Sequence, residues 1–347
     1  MAHPDILFEE ANQAREKNLY DSAVTLYRGA LKGYEEMGEI DDSQKLLDCF
    51  LSLGDVLRIQ GEFTEAYHFY HKGLELAHKH DDETAEADAE LGMGLCQRAL
   101  GKWKEALAFI EEAEDIYTAY EDTEGRAFSL WSRGGTERVK GDITAALDCF
   151  HKALRMYQDL EDISGMGYCY CGLGGASRVA GKYDDSEQFY KKAHTIFIDL
   201  NDQFGIAYSF CGLGNAHRMK ENYEEALLNF KRASDLYQKI GDRVSYAYTL
   251  WSFATAFKMI NNLAKAQKFF DEANSLFKQT SDFRGHIYCL LGFGELACLK
   301  GNRDRAWQFL SKALSLAEEF SFRTEIGYAK QVIEGVKKLQ NLPLNLP

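Results

Sequence analysis

The stretch FGIAYSFCGLGNAHRMKENYEEALLNFKRASDLYQKIGDR, residues 204–243, decides the fold. Its first seventeen residues carry apolar side chains at helical spacing, ENY marks a break, EEALLNFKRASDLYQKI is a second amphipathic run, and GDR closes the unit. The spacing predicts two antiparallel helices. The same register extends in both directions: Gly54, Gly94, Gly134, Gly174, Gly214, Ala254 and Gly294 stand 40 residues apart without an insertion. Twelve residues beyond Gly214 comes Ala226, four further on Phe230, three further Ala233, and the other units repeat this small–large–small order. A fixed period of this length means stacked units, none able to bury its apolar face alone, so function is to be sought on a shared surface rather than in one catalytic pocket.

The joints repeat as well. Gly61, Gly101, Gly141, Gly181, Glu221, Asn261 and Gly301 mark the turn within each hairpin, where a positive φ suits a helix C-terminus. Asp82, Asp122, Asp162, Asp202, Asp242 and Asp282 fall between hairpins and read as N-caps, accepting backbone N–H groups of the helix that follows. Repeated glycine inside helices costs about 1 kcal/mol each relative to alanine and implies backbones that approach closely.

Composition agrees with an all-α chain. Of three prolines in 347 residues, the two after Pro4 are Pro343 and Pro347, leaving the interior free for uninterrupted helices. No run is long enough for a membrane span, and MAHPDILFEE has neither the basic nor the apolar region of a signal peptide, so the expected location is cytoplasmic. The eight cysteines follow the repeat (Cys49, Cys169 and Cys289 share one position, Cys171 and Cys211 another) and form no C-x-x-C pair, which predicts packing residues and no metal. A net charge of −14 disfavours nucleic acid and anionic lipid as partners. The chain has no G-x-x-x-x-G-K-[ST] loop and no H-E-x-x-H, and its Gly-x-Gly pairs lie inside predicted helices, where they cannot cradle phosphate. His71, His151, His194 and His217 share no common partner, and EEAEDIY reads as a solvated helix face. No catalytic residue, metal or cofactor is expected, and the chain reads as not an enzyme.

The register of small residue, glycine turn, alanine, aromatic and alanine resembles the tetratricopeptide repeat over nearly the whole chain. A 40-residue unit without proline is similar to the long-repeat subgroup of kinesin light chains, rapsyn and the polarity adaptors named after a Leu-Gly-Asn signature, present here as Leu213-Gly214-Asn215. The resemblance implies a right-handed α-solenoid of about eight hairpins. A less regular first repeat fits at Ala11, Asn18, Ala23, Tyr27 and Ala30. The expected organisation is eight repeats over residues 1–320, a capping helix over 321–340, and a disordered tail, NLPLNLP, over 341–347.

With the signature glycine numbered 8, positions 2, 5, 9 and 12 of the first helix share one face, and the resemblance implies that this face lines a concave groove. Position 12 reads Arg15, Arg58, Arg98, Arg138, Arg178, Arg218, Lys258 and then Cys298, in a chain where only about one residue in nine is basic. Position 2 supplies Tyr168, Tyr208, Tyr248 and Tyr288, position 5 includes Trp131 and Trp251, and position 6 is always small. The pattern suggests a channel with an aromatic wall, a glycine-rich floor and a basic wall. Two roles fit such a ladder of cations: holding a ligand, or bridging to carboxylates of adjacent repeats. Two roles also fit the tyrosines, as ligand anchors or as residues half-buried between first helices.

The leading expectation is a non-enzymatic adaptor that binds an acidic or amphipathic segment of a protein or peptide, with arginines on its carboxylates and aromatics on its apolar anchors. Its partner-binding residues would be Arg58, Arg98, Trp131, Arg138, Tyr168, Arg178, Tyr208, Arg218, Tyr248, Trp251 and Lys258. The alternative is a regulatory subunit, or a receptor for a peptide or other anionic ligand, that controls a separate effector enzyme.

Overall fold

A computed structural model describes residues 3–37, 43–339 and 342–347. Among the described residues there are seventeen helices and no strand. In chain order they are α1 (Pro4–Glu16), α2 (Tyr20–Met37), α3 (Ser43–Ile59), α4 (Phe63–His80), α5 (Glu83–Ala99), α6 (Trp103–Ala119), α7 (Thr123–Lys140), α8 (Ile143–Asp159), α9 (Ile163–Val179), α10 (Tyr183–Asp199), α11 (Gln203–Met219), α12 (Tyr223–Ile240), α13 (Arg243–Met259), α14 (Leu263–Gln279), α15 (Phe283–Leu299), α16 (Arg303–Glu319) and α17 (Arg323–Lys338). Odd-numbered helices up to α15 are the first helices of hairpins and even-numbered ones the second.

The joints obey the chemistry read from the sequence. Gly61, Gly101, Gly141, Gly181 and Gly301 have positive φ, and Glu221 and Asn261 adopt the same left-handed conformation. Asp82, Asp122, Asp162, Asp202 and Asp282 each accept a backbone N–H three residues on, at 2.8–3.0 Å. Asn222, Asn262 and Asn302 do likewise at the turns within hairpins, at 3.1–3.5 Å.

The chain divides into two compact units, residues 1–132 with 239–242, and residues 133–238 with 243–347. In the first, α1 to α6 pack in sequence, and α3 also meets α5. In the second, first helices stack on first helices, α9 on α11, α11 on α13, and α13 on α15, with α17 packed on both α15 and α16. Glu325 of α17 is fully buried and holds Arg284 Nε at 2.6 Å and the Tyr288 hydroxyl at 2.5 Å. The turn at Gly141 abuts the start of α17 so closely that a Cβ there would lie 2.8 Å from Arg323 Cβ, so the second unit closes on itself.

Two expectations change. The small residues of position 6 are sockets rather than a channel floor. Phe150 lies between Gly134 of its own repeat and Gly172 of the next, where added Cβ atoms would come within 2.9 and 2.5 Å of its ring. One aromatic thus joins two repeats, and only glycine lets the helix backbones meet it. Nor does the terminal segment behave as a free tail over its described part. Leu344 and Asn345 are hydrogen-bonded to α11, α13 and α15, and Leu346 is only 5% exposed.

Candidate functional site: the basic ladder

The position-12 cations do not share one environment. In the first unit they are partnered. Arg58 donates from Nε to the Tyr70 hydroxyl at 3.3 Å and from Nη2 to Asp55 at 3.4 Å, while Tyr70 donates to the same carboxylate at 2.7 Å. Arg15 lies 3.7 Å from Asp55, so one acid at position 9 serves two cations of the ladder. Arg98 stacks over the Trp131 ring at 5.9 Å and donates to the Ser132 carbonyl at 3.4 Å. Trp131 itself is half-buried and stacked on Phe128. Arg58 is thus satisfied within its own hairpin, and the contact that crosses repeats is that of Arg15 to Asp55.

In the second unit the ladder changes character. Among the described residues, neither Arg138 nor Arg178 has a carboxylate at ion-pair distance. Nε of Arg138, and Nε and Nη1 of Arg178, are buried with no hydrogen-bond partner. The cause lies at position 9, where Gly135 and Gly175 offer no side chain, in contrast to Asp55. A Cβ at Gly175 would lie 3.4 Å from Arg138 Nη1, so the guanidinium passes over bare backbone.

Arg218 and Lys258 are buried, at 0% and 2% exposure. Arg218 is held from two sides. Its Nε and Nη2 donate to Asn215 Oδ1 at 3.2 and 3.1 Å, and its guanidinium lies over Trp251 at 5.5 Å. Asn215 is fixed in turn, donating to Ser252 Oγ and to the Cys211 carbonyl, both at 3.1 Å. Among the described residues no acid neutralises Arg218, and its pKa falls to about 9, mainly through burial and then through the like charge of Arg178. Lys258 pairs with the fully buried Glu295, position 9 of the next repeat. Burial lowers the Lys258 pKa against the opposing effect of Glu295.

Residues 344–346 complete this arrangement. The Leu344 N–H donates to Glu295 Oε1 at 2.5 Å, and its carbonyl accepts from Lys258 Nζ at 2.9 Å. The Asn345 amide donates to the Arg218 carbonyl at 2.8 Å and accepts from Arg218 Nη1. The sequence reading missed Asn215, Glu295 and this segment. The polar residues of position 9 were the available signal.

Of the tyrosines of position 2, Tyr168, Tyr208 and Tyr248 are half-buried and Tyr288 is buried. Tyr168 donates to Asp202 at 2.7 Å and packs its ring 4.8 Å from Phe197. Tyr248 lies beside Asp282 and 4.8 Å from Phe277, and burial, then that carboxylate, raises its pKa. Tyr208 is half-buried, with its ring 6.2 Å from Phe204. Burial also pushes the thiols of Cys49, Cys96 and Cys169 up to about 12, which suits packing rather than nucleophilic chemistry.

The tetratricopeptide repeat profile matches residues 47–119, 166–239 and 203–279, together more than half of the chain, and the protein belongs to that family. No curated protein matches it by sequence. Among solved structures, a Rap protein complexed with Competence and Sporulation Factor superposes with a TM-score of 0.67 at 16% identity, covering 92% of this chain and 98% of that one. The Rap conjugation gene regulator of plasmid pLS20, in complex with the Phr* peptide, has a TM-score of 0.57 at 14% identity and 99% coverage of both chains. Aspartyl phosphate phosphatase F from Bacillus subtilis gives 0.53 at 15% identity, covering 100% of this chain and 96% of that one. These likenesses show the fold, an all-α repeat scaffold. No helix among the described residues is long and apolar enough to cross a membrane.

Proposed function

We propose that the protein is a non-enzymatic, cytoplasmic adaptor whose second unit captures an extended acidic or amphipathic segment of a protein or peptide along the first-helix face. One observation carries this reading: Arg138 and Arg178 present buried guanidinium nitrogens that no group among the described residues satisfies. A buried donor without a partner costs about 1–3 kcal/mol, and a carboxylate accepting from it recovers that cost through a charge-assisted bond. Two solved structures of similar fold are complexes with a peptide or factor, which supports a peptide as the form of ligand here. The same occupancy in a regulatory subunit would signal to a separate effector.

A labelled twelve-residue peptide with a carboxylate at every third position and leucine or tyrosine between is the test probe. At first-helix spacings of about 10 Å, three extended residues at about 3.3 Å each bring successive carboxylates to successive cations. Fluorescence anisotropy should show binding that weakens as salt rises. Replacing Arg138 and Arg178 by glutamate should abolish binding while far-UV circular dichroism stays helical. Unchanged affinity in a well-folded double variant removes the ladder from the mechanism.

A further inference from the structure

The polar contacts of residues 344 and 345 are those by which a protein reads a peptide. Lys258 and Glu295, already paired with each other, meet the carbonyl and the N–H of a single residue, Leu344. That contact registers main chain and is indifferent to the side chain. Arg218 then reads both ends of one amide side chain, donating to the Asn345 oxygen and accepting at its own carbonyl from the Asn345 nitrogen. Leu346 supplies a buried apolar anchor. From 344 to 345 the segment passes from α13 and α15 to α11, against the order of the repeats.

The receiving groups have partners besides the segment. Asn215 and Trp251 hold the Arg218 guanidinium by two nitrogens and one face, leaving Nη1 directed at Asn345. Lys258 and Glu295 satisfy one another through their own bond. A preorganised site of this kind survives removal of its occupant and takes another with little reorganisation cost. Pro343 and Pro347 bracket the segment, fixing φ and removing two N–H donors, which lowers the entropy lost on binding in an extended form.

We propose that Leu342–Pro347 is an intramolecular peptide ligand: α11, α13 and α15 form a site for an extended leucine-flanked asparagine segment, and the chain's own copy occupies it until a competing peptide displaces it. The competition rests on the reading that this face receives a partner peptide. The site differs from Arg138 and Arg178, because it selects an amide and main chain rather than carboxylates. It adds a second specificity element and a threshold: an incoming peptide must overcome a tethered competitor whose effective concentration is on the order of millimolar.

The experiment compares the full chain with a chain ending at residue 341, using labelled NLPLNLP peptide as probe and anisotropy as readout. Because a tether of about millimolar effective concentration keeps a site about nine-tenths filled only when the free segment binds about tenfold more tightly than that, the shortened chain should bind the probe with a Kd of about 0.1 mM or tighter. The full chain should bind it about tenfold more weakly or worse. In the full chain, Asn345→Ala should free the site and restore probe binding, which keeps the test open should the shortened chain misfold. Equal affinity for all three proteins, or no binding to either the shortened chain or the Asn345→Ala variant at several millimolar probe, overturns the proposal. So does dimerisation of the full chain that disappears on shortening, which would make the segment a ligand between copies. Acidic-probe binding with no response to NLPLNLP would sink this inference alone. Binding of NLPLNLP with no response to the acidic probe would sink the carboxylate reading of the ladder alone.

Discussion

Arg58 and Arg178 occupy the same position of two repeats, one in each unit, yet one is neutralised within its own helix and the other has buried nitrogens that no described residue satisfies. The difference is made three residues earlier. Asp55 pairs with Arg58, whereas Gly175 stands in that place before Arg178. Lys258 obeys the same rule across a repeat boundary, since position 9 of the following repeat is Glu295. For Arg58, Arg178 and Lys258 the residue at position 9 decides whether the cation meets an acid, while Arg98, with Leu95 there, is held instead by the Trp131 ring and the Ser132 carbonyl.

The sharpest way to test that rule is to remove the acids. Glu295→Ala leaves Lys258 buried without its carboxylate and should cost about 3–5 kcal/mol, read as a large fall in melting temperature. Asp55→Ala exposes two cations that already reach solvent and should cost about 1 kcal/mol or less. Equal losses would contradict the distinction between the two pairs.

The rule can also be transplanted. Gly175→Asp installs an acid beside Arg138 and one helical turn before Arg178, giving the second unit the chemistry of the first. Acidic-peptide affinity should drop by about tenfold or more, while stability changes by no more than about 1 kcal/mol. Chemical denaturation and anisotropy on the same preparation check both halves of the expectation.

A smaller effect separates the units by pH. Glu90, in α5, has its pKa raised from 4.5 to about 8, first by burial and then by the charges of Glu112 and Glu86. The folded state thus holds a proton that the unfolded chain releases near its ordinary value, so stability falls as pH rises from 4.5 through about 8. Glu90→Gln should match the parent protein at pH 4 and exceed it by about 1–2 kcal/mol at pH 9, a difference that thermal melts at the two pH values will detect.

The fold was legible because its determinants are local and repeated. Gly61, Asp82 and Phe150 each act on neighbours at offsets that recur every 40 residues, so seven noisy copies of one signal reinforce each other. The glycines of position 6 were read correctly as marks of close approach and wrongly as a floor, because the sequence shows that a side chain is missing but not what fills its place. The tyrosines were half legible: Tyr168 reaches an N-cap 34 residues on, a contact that the period itself implies. The site was harder, since Arg218 and Asn345 are 127 residues apart and no periodicity relates them. The short segment LPLNLP has no charge or amphipathic pattern that would have flagged it.

The central claim, that binding resides in the unpartnered cations and not in the ladder as a whole, is tested most directly by two double variants measured against the acidic peptide. Arg138→Ala with Arg178→Ala should weaken binding by about a hundredfold at low salt, as expected for two charge-assisted contacts of roughly 1.5 kcal/mol each, and should leave the melting temperature nearly unchanged. Arg58→Ala with Arg98→Ala should lower the melting temperature and leave affinity within about twofold. An affinity loss that is equal in the two variants, or larger in the second, would contradict the account.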